Sequence, residues 1–224
     1  MRPTVLAALV PALLAAPCAL RAQAPAQPAA NAAAKAAAAP VVLPGGWSMR
    51  LDRDGANTTA LRFFTAGTGL HATTGPSAIF YDATMTAKGA YTAQATFTQT
   101  KAPAHAEAYG LLFGGSGLGG PQQQYFYFLV RGDGHFLVKH RAGSEVHTLK
   151  DWTAHPAITP ADAAGKATNA LRVRVAADSV RLDVNGTQVF ALPKVDADGI
   201  VGLRVNHQLD VHIEGLKVTP ATGK

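Results

Sequence analysis

The chain has 224 residues, with 20 lysines and arginines against 14 acidic residues and a formal charge of +6. The basic residues are spread along the chain, which sets aside the clustered footprint of a nucleic-acid binder, and no nucleic-acid partner is expected. A single cysteine, Cys18, sets aside an intrachain disulfide and a thiolate metal site, so the fold must rest on an ordinary apolar core.

Residues 1–24 read as a secretory signal peptide: a basic tip at Arg2, an apolar run from Val5 to about Leu20, then small residues. The run is near the lower limit for crossing a bilayer and is interrupted by Pro11 and Pro17, so no membrane span is expected. The expected location is the periplasm or the extracellular space. Cys18 follows Ala15, Ala16 and Pro17 and lacks the leucine and small residue that precede a lipid-attachment cysteine. Cleavage is expected after Ala22, Ala24 or Ala26, with Pro25 arguing against the second. Residues 25–40 hold almost nothing bulky to bury and read as an Ala/Pro-rich disordered tether. Val41, Val42, Leu43 and Trp47 are the first residues able to dock on a core, and residues 41–220 are expected to form the folded domain.

From there the chain turns to short runs rich in Val, Phe, Tyr, Leu and Thr, separated by Gly, Pro, Asn and Asp. Strands are expected at 47–51, 61–65, 78–81, 91–98, 109–113, 125–131, 135–141, 170–176, 180–184, 187–191, 200–205 and 209–218. Short strands at regular spacing with turn signals predict an all-β sandwich or barrel. Asn185-Gly186, between VRLDV and TQVFA, predicts a two-residue hairpin turn. In that register Val180, Leu182, Val184, Val189 and Ala191 face the core, while Arg181, Asp183, Gln188 and Phe190 face away. A second hairpin, YFYFLVRGDGHFLVKHR, turns at Gly132-Asp133 or Asp133-Gly134. A two-residue loop there puts Tyr125, Tyr127, Leu129, Arg131, Phe136, Val138 and His140 on one face. Phe126, Phe128, Val130, His135, Leu137, Lys139 and Arg141 take the other. Both faces are largely apolar, so these strands are expected to be central. The phenylalanine face reads as core and the tyrosine face as the floor of a groove.

The elements YTAQATF, YGLLFGG, YFYFLVRGDGHFLVKHR, NALRVRV, VRLDVNGTQVF and GIVGLRVNHQLDVHIEGLKV, from Tyr91 to Val218, carry a resemblance. Their order resembles the concanavalin A-like lectin/glucanase jelly roll, and is most similar to the laminin-G-like and 3-keto-disaccharide hydrolase-type domains of exported bacterial proteins. The resemblance implies an all-β, two-sheet antiparallel jelly-roll sandwich. Its motifs encode strands and turns, so they specify fold and leave function open. No cofactor is expected; the resemblance leaves room for calcium held by Asp side chains and loop backbone oxygens, for which Asp52, Asp54, Asp196 and Asp198 are the loop candidates, with no defining pattern.

Several motifs have bland explanations. Gly115–Gly120 matches GxGxxG, but Pro121 and a strand follow where a dinucleotide site needs a helix. Arg131-Gly132-Asp133 is turn chemistry. Asn57-Thr58-Thr59 and Asn185-Gly186-Thr187 fit the glycosylation sequon, and the second asparagine belongs to a turn. The Glu-x-Asp-x-x-Glu pattern of jelly-roll glucanases is absent, as are Gly-x-Ser-x-Gly, His-x-His and His-Glu-x-x-His. No metal site is expected. His207, Asp210 and His212 cluster near a turn and read as the polar surface of an edge strand.

What remains is aromatic plus basic. Sugars present apolar ring faces and hydroxyl edges, which suit Tyr or Trp platforms bordered by Arg, Asn and His. Tyr125, Tyr127, Arg131 and His140 fit that chemistry on the groove face. Trp152 and His155 follow in the next loop, and Arg204, Asn206 and His207 lie near the C-terminus. The leading expectation is an exported, non-catalytic module binding carbohydrate or another cell-envelope ligand on a concave face. The alternatives are a saccharide hydrolase or lyase of the 3-keto-disaccharide type, with His140, His207 and Asp210 as acid–base candidates, and an envelope protein-interaction module.

Overall fold

A computed structural model describes residues 40–221. The expected signal peptide and all but the last residue of the expected tether lie outside the described residues. Among the described residues there are fourteen strands and no helix. Numbered in chain order, the first sheet runs β1 (Trp47–Leu51), β4 (Ala78–Ala87), β13 (Gly199–Val205), β6 (Ala108–Ser116), β7 (Gln124–Arg131), β8 (His135–Ala142) and β9 (Glu145–Ala154). The second runs β12 (Thr187–Pro193), β11 (Ser179–Val184), β10 (Ala167–Val175), β5 (Tyr91–Gln99), β14 (Asp210–Pro220), β3 (Gly69–Thr73) and β2 (Arg62–Ala66). Every pairing is antiparallel. The two sheets form the expected jelly-roll sandwich.

Period-two alternation explains why these segments are strands. In β5, Tyr91, Ala93, Ala95 and Phe97 turn inward while the threonines between them stay half-exposed. In β10, Leu171 and Val173 meet them from the neighbouring strand, and Phe80, Tyr109, Phe113, Phe126, Phe128 and Leu203 supply the facing layer. Each such side chain contributes roughly 1.5–3 kcal/mol on burial. Of the phenols buried here, Tyr91 donates to the Ala197 carbonyl at 2.8 Å, and burial pushes its pKa up.

Four details differ from the sequence expectation. The β7–β8 turn has three residues, with Arg131 opposite His135 and Gly134 at φ +83°. The extra residue rotates β8 by one position, so Phe136, Val138 and His140 join Phe126 and Phe128 on the core side. His135, Leu137, Lys139 and Arg141 join the tyrosines instead. The Asn185-Gly186 turn forms as expected, at φ +50° and +85° with Val184 opposite Thr187. A bulge beyond it then pairs Leu182 with Phe190 and Val180 with Leu192, which turns Phe190 toward the core and Ala191 outward. Strand β3 went unpredicted because it is five residues long and contains Gly69 and His71. Strand β9 went unpredicted because, as an edge strand, it is polar on both sides; Trp152 lies on it rather than in a loop.

Candidate functional site

The outward face of the first sheet carries a second apolar cluster, separate from the core between the sheets. It is built from Ile79, Tyr81, Leu112, Tyr125, Tyr127, Leu129 and Leu137, with Leu118 closing one end and Trp152 the other. Leu118 comes from the Gly115–Gly120 segment, whose glycine-rich turn (Gly120 N–H to the Gly117 carbonyl, 2.9 Å) folds it against the sheet. Gly202 is required beneath the tyrosines: a Cβ there would sit 2.6 Å from the Phe80 carbonyl and 3.1 Å from the Tyr81 Cβ.

Arg204, near the end of β13, extends over this face to the tyrosines of β7. Its guanidinium bonds both carboxylate oxygens of Asp52, at 2.9 and 2.5 Å, reaches the Tyr125 hydroxyl at 3.4 Å, and sits 4.8 Å above the Tyr127 ring. Arg204 is only 7% exposed. Burial alone would lower its pKa, but the Asp52 hydrogen bonds and charge outweigh that and raise it. Burial alone would likewise raise the Asp52 carboxyl; the Arg204 bonds and the charges of Arg204, Arg141 and Arg50 hold it below the usual carboxylate value. The Tyr127 phenol is pushed up by burial, with the Arg204 charge opposing. A cleft of about 450 Å³ opens beside Asp52, lined by Arg53, Ala56, Pro76, Ser77 and His207.

Toward the β9 edge, the Arg131 guanidinium stacks 4.2 Å above the half-buried Trp152 ring and bonds Asp133 at 2.8 Å. His135 also approaches Asp133, at 3.1 Å.

Of the residues expected to bind ligand, Tyr125, Tyr127, Arg131, Trp152 and Arg204 are brought to this one face. Tyr125 and Tyr127 are 1% and 5% exposed, so they are the buried foundation of the face and not an open platform. His140 is on the other side of the sheet, stacked 4.4 Å from Phe126, where burial and the His147 charge lower its pKa. Asn206 is a turn residue: its N–H bonds the Ala108 carbonyl and its own carbonyl accepts from Thr74. His207 borders the cleft with Nε2 3.0 Å from Glu107. Asp210 belongs to the second sheet, held by His71, Thr73, Thr100 and Lys101. The three acid–base candidates therefore do not meet. His155 lies after β9, where its Nδ1 accepts from the Ala157 N–H.

The calcium carboxylates do not gather either. Asp52 is committed to Arg204, while Asp198 accepts from the Gly89 N–H and Asp196 from the Asp198 N–H. Among the described residues no group of three or more metal-ligating side chains converges, and no helix is long and apolar enough to cross a membrane.

Arg50, Asp52, Tyr81 and Arg141 belong to the face but were not named for it from sequence. Alternation in WSMRL puts Arg50 opposite Trp47, Met49 and Leu51, and so on the outward side. Arg141 follows from the three-residue turn, which sets it directly across from Tyr125.

No protein-family model matches the chain, and no curated protein matches it by sequence. Solved structures do match. A carbohydrate-binding module, CBM66 from Bacillus subtilis, has a TM-score of 0.58 at 12% identity, over 80% of this chain and 99% of that one. A Bacillus subtilis protein of unknown function with a galectin-like fold has a TM-score of 0.59 at 13% identity, over 80% and 90%. The exoplasmic/lumenal domain of VIP36, in a Ca2+/Man3GlcNAc-bound form, has a TM-score of 0.54 at 7% identity, over 80% and 85%. At such identities the likeness establishes a lectin-like β-sandwich fold.

Proposed function

We propose that this chain is an exported carbohydrate-binding module whose ligand lies on the outward face of the β1–β9 sheet. The observation that carries the reading is the gathering of Arg131, Trp152 and Arg204 above a buried tyrosine layer on that single face. An aromatic ring held rigid beside guanidinium donors offers a sugar both a stacking surface and hydrogen bonds to its hydroxyls. Two of the structural neighbours are described as a carbohydrate-binding module and as a sugar-bound domain, which supports the same reading. Binding is favoured over turnover because His140, His207 and Asp210 are tied to separate partners. Export rests on the N-terminal sequence, and mass spectrometry of the exported protein should find its first residue between Gln23 and Gln27. Retention of Met1 there would remove the export part of the proposal.

The binding part is tested on a glycan array followed by titration calorimetry with the full chain. Trp152→Ala should weaken the best glycan by about thirtyfold, the size of a modest aromatic hot spot. A silent array, or a Trp152→Ala protein that binds as well as its parent, would sink the reading.

A further inference from the structure

The arginine set around Asp52 on the outward face is larger than that one acid can satisfy. Arg50, Arg141 and Arg204 all lie on this face, and all three act on Asp52, the carboxylate bonded by Arg204. Three guanidinium groups against one carboxylate leave two positive charges in excess. Asp133, the other acid at this face, is already shared by Arg131 and His135 at the far end. Across the sheet, Lys139 pairs with Tyr127 on the side where Arg141 pairs with Tyr125, which adds positive charge rather than cancelling it.

The hydrogen bonding is incomplete in the same place. The Nε donors of Arg50, Arg141 and Arg204 are buried and meet no acceptor among the described residues. A buried donor left unmade costs more than an average hydrogen bond gains, and the cost is larger for a charged group. Arg204 is the most telling of the three, because it is more than nine-tenths buried. Its Nη atoms are engaged by Asp52 and Tyr125 and its Nε is not. A guanidinium presents its donors as a flat fork whose natural complement is a planar carboxylate or another oxyanion, which is how Arg204 already holds Asp52. A cleft of about 450 Å³ opens beside Asp52, and its lining adds a further arginine, Arg53, and His207 to the neighbourhood.

We infer that the saccharide taken by this face is acidic: a sugar bearing a carboxylate or a sulfate ester, whose oxyanion is received by Arg50, Arg141 and Arg204 while its ring lies against the aromatic part of the face. The inference rests on the carbohydrate-binding reading and narrows it to a ligand class.

The test is calorimetry of the full chain with trigalacturonate, a carrageenan-derived galactose disaccharide that carries sulfate and no carboxylate, and neutral galactotriose. Trigalacturonate or the sulfated sugar should bind at least about tenfold more tightly than galactotriose, and whichever does so identifies the acid group. That affinity should fall as sodium chloride is raised, while the galactotriose affinity stays flat. Arg50→Gln and Arg141→Gln should each weaken the acidic sugar by about tenfold. Arg181→Gln removes the same charge from the other sheet and should change nothing. Salt dependence is read on the unaltered protein, so the test holds even where an arginine variant folds poorly. Equal affinity for galactotriose and both acidic sugars, or arginine variants that bind the acidic sugar as well as the parent, would overturn the inference and leave the carbohydrate reading standing. Failure of every sugar, acidic and neutral, would overturn both.

Discussion

Arg204 carries its charge into a place where little of the residue meets water, and Asp52 makes that position tolerable. Removing one partner of such a pair leaves an uncompensated buried charge, so Asp52→Ala should cost about 3–5 kcal/mol in urea unfolding. The double change Asp52→Ala with Arg204→Met should recover a large part of that loss, because no charge is then stranded. The same residue gives the fold a pH dependence. The folded pKa of Asp52 lies below its ordinary value of 3.8, so its stabilisation is complete above that pH and is lost as pH falls through the folded value. His140 acts at higher pH with the same sign. Its folded pKa lies below 6.5, so the neutral ring is favoured in the fold, and stability falls once the pH drops below about 6.5. Denaturant midpoints measured across pH should therefore decline in two stages. His140→Phe, which keeps the ring against Phe126, should abolish the upper stage and leave the lower one; a His140→Phe profile identical to the parent's would refute that assignment.

At the scale of the element, two hairpins with similar turn sequences behave differently. Asn185-Gly186 was legible because both residues tolerate positive φ and VRLDV and TQVFA flank them with alternating apolar positions. Arg131-Gly132-Asp133-Gly134 also offers turn formers, two glycines and an aspartate, yet it closes with three residues, since Gly134 takes the left-handed conformation and its N–H returns to the Arg131 carbonyl at 3.1 Å. One residue more in a turn exchanges the two faces of everything after it, and composition alone does not fix that number. This is why the sequence pattern puts His140 on the groove and Arg141 on the core, when the reverse holds. The bulge after Gln188 misplaced Phe190 and Ala191 by the same logic. Tyr125, Tyr127 and Arg131 came out on the right face because they precede the turn. Burial of the tyrosines was not legible, because it depends on what Leu118 and the arginines of other strands lay over them. Gly134→Ala forces an L side chain into the left-handed region, with open space around the new methyl, so the cost should be conformational, about 1–2 kcal/mol. A loss well above that, or none, would show that the turn is held by something other than the Gly134 backbone.

For the molecule as a whole, the problem of a two-sheet sandwich is its open sides, where the outermost strands of the sheets must be held together without main-chain pairing across the gap. Aromatic rings close both. On one side Trp47 of β1 lies 5.0 Å from Phe63 of β2, which stacks 4.2 Å from Phe80 of β4. On the other, Phe190 of β12 lies 6.3 Å from Phe136 of β8, with the Lys150 ammonium of β9 5.9 Å from its ring. These contacts join the first sheet to the second at opposite ends of the strand order. Phe63 is 1% exposed, so Phe63→Ala should cost about 3–5 kcal/mol, the range for a deleted core aromatic. Phe190 is half-buried, and its removal should cost about half as much or less, because part of the space it leaves is already open to water. The two sites share no partner and sit at opposite sides of the sandwich, so the double variant should lose the sum of the single losses within about 0.5 kcal/mol. Urea unfolding of the four proteins checks this, with an unchanged dependence on denaturant confirming that the sheets still separate in one transition. A double variant that loses much less than the sum, with a shallower dependence, would mean that opening either side already releases the other.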